Sequence, residues 1–289
     1  MAQVTAALVK QLREMTDSPM MECKKALVEA DGDIDKAVDV LRKMGVAKAV
    51  KRAGRDTNEG TVAAYVSEDG KTGALLELTC ETDFVGTNPK FTGFAHDLAK
   101  VVAENDPADV DALLALPMGE DTVKDELTEM IHVIGENMKI ARFQRVTVEN
   151  GALASYIHLG GKLADITVFE FSKPETAQSE EFKTFAHDVC MQVAAIAPVS
   201  ARREDVPADV IAHEKSIYMA QAADSGKPEF IQEKIALGKL EKFYKENVLT
   251  EQEFIKDSSM TIADLAKKVD KATGDTIQIT RFVRFAFGE

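Results

Sequence analysis

An internal repeat constrains the fold of this chain more than any other feature. When the sequence is shifted by 91 positions, residues 60–103 align with residues 151–194 without a gap. The segment GTVAAYVSEDGK lies over GALASYIHLGGK, and FTGFAHDLAKVVA lies over FKTFAHDVCMQVA. Each copy has the pattern of a strand, a turn, a strand, a loop and a helix, and the turns contain the hairpin dipeptides Asp-Gly and Gly-Gly. The repeat therefore predicts two related α+β subdomains.

The loop after the second strand differs between the two copies. Residues 82–85 read TDFV, whereas the aligned residues 173–176 read KPET. An aromatic residue that closed the subdomain core should be kept as an apolar residue in the second copy, yet Glu175 stands opposite Phe84. Phe84 and Val85 are therefore predicted to be exposed on a loop carried by a rigid scaffold. The alternative is that Phe84 folds back over its own hairpin.

The N-terminal residues, 1 to about 54, are predicted to form three short helices. In the second helix, Ser18 is the expected N-cap and Pro19 the first helical residue. Asp33 is expected to cap the third helix, and Gly45 is expected to end it.

Two adjacent methionines lie at the start of the second predicted helix. Met20 and Met21 cannot both point into the core of so small a unit. Because methionine is an adaptable contact residue, at least one of them is a candidate for contact with a partner.

The rest of the chain is predicted to be mainly helical, with strands near residue 145 and at the C-terminus. The segments DVDALLAL and TVKDELTEMIHVIGENMKI have helical patterns, and ARFQRVTVE has a strand pattern. Residues 208–247, approximately, form two amphipathic helices joined by a tight turn, an αα-hairpin expected to project from the body. The final segment TIQITRFVRFAFGE is expected to return to a sheet, because its phenylalanines need cover.

Charge and apolar patterning argue against several classes of protein. The 289 residues carry a formal net charge of −14, which disfavours general nucleic-acid binding. Apolar runs stay shorter than the roughly 18 residues of a membrane span, and charged residues interrupt the N-terminal segment, so neither a membrane anchor nor a signal peptide is expected. The three widely spaced cysteines predict neither disulfides nor a zinc site, which favours a cytoplasmic protein.

One basic stretch runs against the acidic trend. Residues 43–55 include Lys43, Lys48, Lys51, Arg52 and Arg55. A solvated linker helix is the first interpretation, and contact with an acidic partner or with RNA is the alternative.

Catalytic motifs are weak. The segment SEDGKT has Tyr65 where a P-loop needs its first glycine, so nucleotide binding is not expected. The His-Asp doublets at 96/97 and 187/188 suggest a metal-dependent phosphohydrolase as an alternative function. Adjacent helical residues point about 100° apart, and both doublets occupy the same place in the repeat, which favours a structural role as caps or core hydrogen bonds. The chain is therefore not expected to be an enzyme or to hold a metal or cofactor.

Four motifs in order carry a resemblance to a known family: MMECKKAL, ETDFVGTNPKFTGFA, IGENMKIARF and SYIHLGGK. They resemble those of bacterial elongation factor Ts, the guanine-nucleotide exchange factor for elongation factor Tu, and the resemblance covers essentially the whole chain. It implies an α+β fold with three parts. These are a ubiquitin-associated-like three-helix domain at 1–54, a first α+β subdomain carrying TDFV at 55–150, and a second with the αα-hairpin and C-terminal segment at 151–289.

The resemblance also implies a function. The chain is expected to bind elongation factor Tu·GDP and to promote GDP release so that GTP can bind, without binding nucleotide itself. The TDFV loop would intrude into the partner's G domain and dislodge its magnesium through Thr82, Asp83, Phe84 and Val85. Further implied contacts are Met20, Met21 and His158. A homodimer is left open, and a passive module that binds without releasing nucleotide is the competing interpretation.

Overall fold

The computed structural model of the chain describes residues 4–223, 226 and 228–289, and it has the mixed α+β architecture predicted from the sequence. The N-terminal part consists of three helices, α1 (Ala6–Thr16), α2 (Met20–Glu29) and α3 (Ile34–Arg52). All three contribute to one small core, made of Val9, Leu12, Cys23, Ala26, Leu27, Ala30, Ala37 and Leu41. The prediction that Asp33 caps the third helix is confirmed, because its carboxylate accepts the N–H of Lys36.

The start of α2 differs from the prediction. Ser18 is not the N-cap, because Pro19 occupies that position and no side chain caps the helix. Ser18 is fully buried instead, and its hydroxyl lies 3.3 Å from Nε2 of His132. A long-range contact between two buried polar groups has overridden the local capping preference of serine.

The end of α3 also differs from the prediction. Gly45 does not terminate the helix, which continues to Arg52. A Cβ atom on Gly45 would lie 3.3 Å from Cβ and Cγ of His132. Glycine at this position therefore serves the close packing of a neighbouring helix rather than helix termination.

The first repeat copy has the predicted order of elements. It contains β1 (Glu59–Val66), β2 (Thr72–Cys80), α4 (Asp83–Gly86) and α5 (Pro89–Asn105). The segment predicted as a loop is thus the single helical turn α4. The SEDGKT segment lies in the turn between β1 and β2, as predicted.

A connecting segment and a third strand follow the first copy. They comprise α6 (Val110–Leu114), β3 (Pro117–Met118), β4 (Asp121–Thr122), α7 (Val123–Ile134) and β5 (Met138–Thr147). Residues after Ile134 are not helical, contrary to the prediction, because Gly135 adopts a left-handed conformation with φ 91° and caps the helix. Strand β5 lies beside β2 in a sheet of order β1-β2-β5.

The second copy repeats this architecture. It contains β6 (Gly151–His158), β7 (Leu163–Glu170), a short 3-10 turn (Pro174–Gln178) and α8 (Glu180–Ile196). The bounds of α8 are those of α5 shifted by 91 positions. Gly60 and Gly151 share an unusual φ of 153° and 150°, and a Cβ on Gly151 would lie 1.8 Å from the carbonyl oxygen of Phe169. The repeated glycine is therefore required by the backbone.

The chain ends with the helical hairpin and a last strand. These elements are α9 (Ala208–Ala223), α10 (Glu229–Asn247), β8 (Glu253–Phe254), β9 (Asp257–Thr261), α11 (Ile262–Thr273) and β10 (Gln278–Ala286). Strand β10 pairs antiparallel with β7, which confirms that the C-terminal segment returns to a sheet. The phenylalanines of β7, α8 and their neighbours form the main core of this part, with Phe169 packed edge-on against Phe182 and Phe185. In the described part of the chain, no helix has the length and apolar character needed to cross a bilayer.

The similarity of the two copies extends beyond the aligned residues. Helices α7 and α11 both begin after a threonine N-cap, Thr122 and Thr261, and both end at a left-handed glycine, Gly135 and Gly274. Each is followed by the third strand of its sheet, and KIARFQR in β5 stands 139 positions before QITRFVR in β10. The shift is 48 positions larger than in the aligned repeat, and the αα-hairpin accounts for most of this difference. The second copy is therefore the first with a helical hairpin inserted.

The chain divides into two compact units. The first comprises residues up to Ala63, Leu76–Phe143 and Gly288, and the second comprises Ala64–Leu75, Gln144–Phe287 and Glu289. The first unit thus contains α1–α3 and the α4 turn, and the second contains the whole second copy.

Candidate partner-binding site

The helical turn α4 carries the most exposed large apolar side chain of the described residues. Phe84 is 83% exposed, which confirms its predicted exposure and excludes the folded-back alternative. Val85 is only 9% exposed, so the prediction that it is exposed is wrong. In a single helical turn, neighbouring side chains point about 100° apart, and Val85 is turned towards the core while Asp83 and Phe84 face solvent. The backbone N–H of Phe84 donates to the Asp83 carboxylate at 2.9 Å.

The start of α4 is held by a carboxylate from the IGEN segment. Oε2 of Glu136 accepts the backbone N–H groups of Glu81 at 3.1 Å and Thr82 at 3.0 Å. Oε1 accepts the Thr82 hydroxyl at 2.7 Å. Thr82 is the N-cap of α4, but its side chain makes no capping bond to the turn itself. The TDFV and IGEN motifs therefore meet in one hydrogen-bonded structure.

The end of α4 is fixed by close packing. A Cβ atom on Gly86 would lie 3.2 Å from the carbonyl oxygen of Gly60 and 3.3 Å from its nitrogen. Gly86 therefore lets the turn lie against the start of β1. This contact and the buried side chain of Val85 hold the inner side of the turn, and Phe84 is directed towards solvent.

The equivalent turn of the second copy has the same scaffold and a different outer residue. Glu175, aligned with Phe84, is exposed, and Thr176, aligned with Val85, is buried. The position of Phe84 is thus an outward position in both copies, and its side chain is not needed for the fold.

The two N-terminal methionines lie on the surface of the same unit as Phe84. Met20 is 55% exposed and Met21 72% exposed, so neither belongs to the core of α1–α3. A bond of 2.7 Å between Lys90 Nζ and Asp17 Oδ2 joins the start of α5 to the turn just before α2. This surface ion pair links the turn before the methionines to the helix that follows α4.

His158 lies in the second unit, at the end of β6. Its side chain is exposed, and the Tyr156 hydroxyl lies 3.1 Å from its Nδ1. The two rings stack with centroids 5.8 Å apart, and Tyr156 also contacts His187 edge-on at 5.5 Å. The next residue, Leu159, is exposed and has a left-handed φ of 49°.

The hairpin turns of the two copies differ in character. In the first copy, the Ser67 hydroxyl donates to Asp69 at 2.6 Å, so the turn satisfies its own polar groups. In the second copy, Ile157 and Leu159 are both exposed. Each copy therefore displays apolar side chains at a different place, the first on α4 and the second on its hairpin turn.

The basic stretch is largely engaged inside its own unit. Lys48 forms an ion pair with Glu22, and Arg52 donates to the carbonyl oxygen of Ile131 at 3.2 Å. Arg55 pairs with Glu81 at 3.2 Å. The predicted helix is confirmed as far as Arg52, and Lys43, Lys51 and Arg55 are exposed, whereas Lys48 and Arg52 are half-buried.

The His-Asp doublets are neither caps nor core hydrogen bonds, contrary to the structural role predicted. His96 and Asp97 lie on the exposed side of α5, with Nδ1 and Oδ1 3.8 Å apart. His187 is exposed, and Asp188 pairs with Lys256 at 2.7 Å. Among the residues that the structure describes, no three His, Cys, Asp or Glu side chains are placed to hold one metal ion.

Sequence reasoning missed Glu136 and Leu159. Glu136 acts on residues 54 and 55 positions away, so no local pattern marks it. Shifting the sequence by 139 positions aligns Glu136 with Asp275, and this alignment would have indicated a common role for the two carboxylates. Leu159 would have been marked by its place in a hairpin turn, where an apolar β-turn residue is unusual.

Comparisons with known proteins agree on one family. The family model described as elongation factor TS matches residues 81–289. An elongation factor Ts of Clostridium perfringens is 46% identical over 289 residues, covering 99% of this chain and 93% of the relative. The elongation factor Ts of Trichlorobacter lovleyi is 44% identical, and the alignment covers 99% of this chain and 93% of the relative. That of Chloroherpeton thalassium is 43% identical, and the alignment covers 100% of both chains. With this agreement along its length, the chain belongs to the elongation factor Ts family of translation elongation factors.

Proposed function

We propose that the chain is a guanine-nucleotide exchange factor that binds elongation factor Tu·GDP and releases GDP by inserting Phe84 into the partner's G domain. The observation that carries this proposal is the outward Phe84 on an anchored turn, in a position where the second copy has glutamate. An aromatic side chain that is 83% exposed contributes nothing to its own core. Buried aromatic anchors are the residues that most often dominate protein interfaces.

The insertion acts on magnesium and on the phosphates together. Mg²⁺ requires a nearly ideal octahedral geometry, and it bridges protein ligands and nucleotide phosphates. A P-loop holds the phosphates with aligned backbone N–H groups. A packed core responds to a wedge by switching between discrete arrangements rather than by deforming continuously. A phenyl ring entering between packed elements therefore displaces the metal ligands and weakens the hold on GDP.

Thermodynamic linkage makes the effect reciprocal. If the factor weakens GDP binding by a given ratio, GDP weakens binding of the factor by the same ratio. Exchange is then faster while the GDP/GTP equilibrium is unchanged. In this role the chain changes no covalent bond and needs no cofactor or nucleotide of its own, and it acts in the cytoplasm, where translation takes place.

Further contacts are assigned to Met20, Met21 and His158. Contact with the same G domain is supported by the exposure of both methionines and by the ion pair between Asp17, before α2, and Lys90 of α5. The exposed His158 and its neighbour Leu159 support a second contact, made by the second unit. Within the TDFV turn, Asp83 and Phe84 form the inserted tip, and Thr82 and Val85 support it.

We also retain the three-domain division at 1–54, 55–150 and 151–289. It is supported by the end of α3 at Arg52 and by the start of the second copy at Gly151. Limited proteolysis of the full chain, with mass spectrometry of the fragments, tests it. First cuts near residues 54 and 150 are expected.

Release of a fluorescent GDP analogue from elongation factor Tu tests the function. The full chain, Phe84→Ala and the matched control Glu175→Ala are compared at equal concentrations. Fast release with the full chain and with Glu175→Ala, and much slower release with Phe84→Ala, is the expected result. Equal release by all three keeps exchange but contradicts the insertion mechanism. Binding without acceleration would establish the passive module instead.

A further inference from the structure

We propose that Glu136 is a positioning residue for exchange, whose carboxylate fixes the start of α4 so that Phe84 is presented to the partner in one direction. This inference rests on the proposed function of Phe84. It assigns a role to the glutamate of the IGEN segment, which itself lies outside the inserted turn.

Three hydrogen bonds to the Glu136 carboxylate hold the start of the turn. Glu136 accepts two backbone N–H groups and one hydroxyl, all from Glu81 and Thr82, at 2.7 to 3.1 Å. Hydrogen bonds to a carboxylate are stronger than those between neutral groups. Glu81 and Thr82 connect the end of β2 at Cys80 to the start of α4 at Asp83, so these bonds set the direction in which the turn leaves the sheet.

Helix α4 is too short to be stable by itself. It has four residues. The Gly86 N–H donates to the Thr82 carbonyl at 3.1 Å, and the carbonyls of Asp83, Phe84 and Val85 accept bonds from Thr87 and Asn88, beyond the end of the turn. Fixing one helical turn costs more conformational entropy than its first hydrogen bond returns. Its direction therefore depends on contacts with the rest of the unit. These are the packing of Val85 and Gly86 at one end and the hydrogen bonds to Glu136 at the other.

Asn137, the residue after Glu136, belongs to a network of hydrogen bonds with Glu81 and Arg55. The Asn137 N–H donates to Glu81 Oε1 at 2.6 Å, so the two segments exchange backbone-to-carboxylate bonds in both directions. Arg55 pairs with the same Glu81 carboxylate, and the Asn137 amide donates to the Arg55 carbonyl at 2.8 Å. These bonds hold the backbone next to Glu136, so its carboxylate can act as a reference point for the turn.

In the second copy, a carboxylate also holds the start of the equivalent turn, but this turn carries no phenylalanine. Asp275 accepts the N–H groups of Ser172 and Lys173, the residues aligned with Glu81 and Thr82, at 3.3 and 2.8 Å. It also accepts the Thr176 hydroxyl at 2.8 Å. This turn presents Glu175, so removing Asp275 loosens an equivalent turn with no inserted aromatic residue. The chain thus provides a matched internal control.

Removal of the Glu136 carboxylate affects exchange because Phe84 then becomes mobile and must be ordered when it enters the partner. Ordering an interface loop costs free energy at the moment of binding. Small misplacements of an acting group also reduce rates steeply. The phenyl ring remains present in Glu136→Ala, so the loss comes from its direction and not from its chemistry.

Exchange kinetics provide the first test, with the complete chain and elongation factor Tu carrying a fluorescent GDP analogue. Glu136→Ala is expected to lower kcat/KM for release by about tenfold or more. Asp275→Ala, compared as folded protein, is expected to stay within about threefold of the full chain, because the turn that it loosens carries no inserted aromatic residue. Glu136→Gln should recover most of the loss, because one amide oxygen can accept both N–H groups while the amide nitrogen donates to Thr82. The double variant Glu136→Ala/Phe84→Ala should release GDP no more slowly than Phe84→Ala alone.

Mobility in the free chain provides a second test that does not depend on exchange. The chain has no tryptophan, so Phe84→Trp introduces a single reporter at the tip. Time-resolved fluorescence anisotropy should show a larger fast component when Glu136→Ala is added to Phe84→Trp, and no increase when Asp275→Ala is added. Equal effects of the two removals, or additive losses in the double variant, would overturn the proposal. If the unaltered chain releases no GDP but the anisotropy result holds, the proposed function fails, whereas the conclusion that Glu136 fixes the direction of α4 stands.

Discussion

Phe84 and Val85 are neighbours in the chain, yet the phenyl ring is 83% exposed and the valine 9% exposed. One residue is directed at solvent and the other anchors the turn. Substitution of Val85 should therefore affect mainly the stability of the chain, and substitution of Phe84 mainly nucleotide exchange.

Val85→Ala is expected to lower the free energy of unfolding by about 1–2 kcal/mol, since it removes two buried methyl groups. Phe84→Ala is expected to stay within about 0.5 kcal/mol of the full chain, as surface substitutions do. In exchange, the order reverses: Phe84→Ala should cost roughly 2 kcal/mol or more of coupling to the partner. Urea unfolding and nucleotide release, measured on the same preparations, check both statements. A Phe84→Ala variant that is as destabilised as Val85→Ala would contradict the outward role.

Leu159→Asn should weaken binding to the partner without lowering the stability of the chain. Leu159 has a left-handed φ of 49°, which costs a leucine roughly 1–2 kcal/mol. Asparagine tolerates this conformation, so the substitution is expected to leave the melting temperature unchanged or to raise it. It also removes an exposed apolar side chain next to His158, and affinity for elongation factor Tu should fall. Thermal unfolding and a binding titration test this, and unchanged affinity would remove Leu159 from the contact surface.

The fold could be predicted from the sequence wherever two copies could be compared. The helix predicted at the same place in each copy is confirmed, since α5 and α8 have the same bounds 91 positions apart. The comparison also predicted that Phe84 is exposed, because a core residue would have been apolar twice. Val85 was misjudged by the same comparison, since the aligned Thr176 is polar yet buried.

Contacts between distant segments could not be predicted in this way. Local rules assigned Ser18 to a helix cap and Gly45 to a helix end, but both residues contact His132. Glu136 likewise meets Thr82 across 54 positions. Propensity and periodicity report what a segment prefers by itself, and tertiary packing decides between alternatives of similar energy.

His132 makes the first unit sensitive to acid. Burial lowers the pKa of its imidazole; the Glu22 carboxylate opposes this effect, and Lys48 and Arg52 add to it. A depressed histidine pKa means that the unfolded chain binds the proton more readily. The stability that neutral His132 provides is therefore present above the unfolded pKa of about 6.5 and is lost as the pH falls below it.

Urea unfolding at pH 7.5 and pH 5.5 tests this sensitivity. The full chain is expected to lose more unfolding free energy between the two pH values than His132→Gln does. Ser18→Ala is the control, because it removes the hydroxyl beside Nε2 and keeps the imidazole. It should lower stability at both pH values and retain the pH dependence. Identical pH dependence in the full chain and in His132→Gln would disprove the assignment.

Asp165 should give the second unit the opposite pH dependence. Its side chain is fully buried on β7, and burial raises its pKa to about 8, against smaller lowering effects from Cys190, Thr167 and Arg284. The folded chain therefore holds this proton more tightly than the unfolded chain, whose aspartate has a pKa near 3.9. Stability from protonated Asp165 is fully present below that value and is lost as the pH rises towards 8.

Asp165→Asn removes the titration while keeping the shape of the protonated side chain. The variant is expected to be more stable than the full chain at pH 8, by a few kcal/mol at most, and the difference should shrink as the pH falls towards 5. Denaturant unfolding across this range measures it. Thr167→Val serves as the control, because it removes a hydroxyl 3.5 Å from the carboxylate without removing the titrating group. A constant difference between Asp165→Asn and the full chain at every pH would show that the carboxylate is already ionised in the fold.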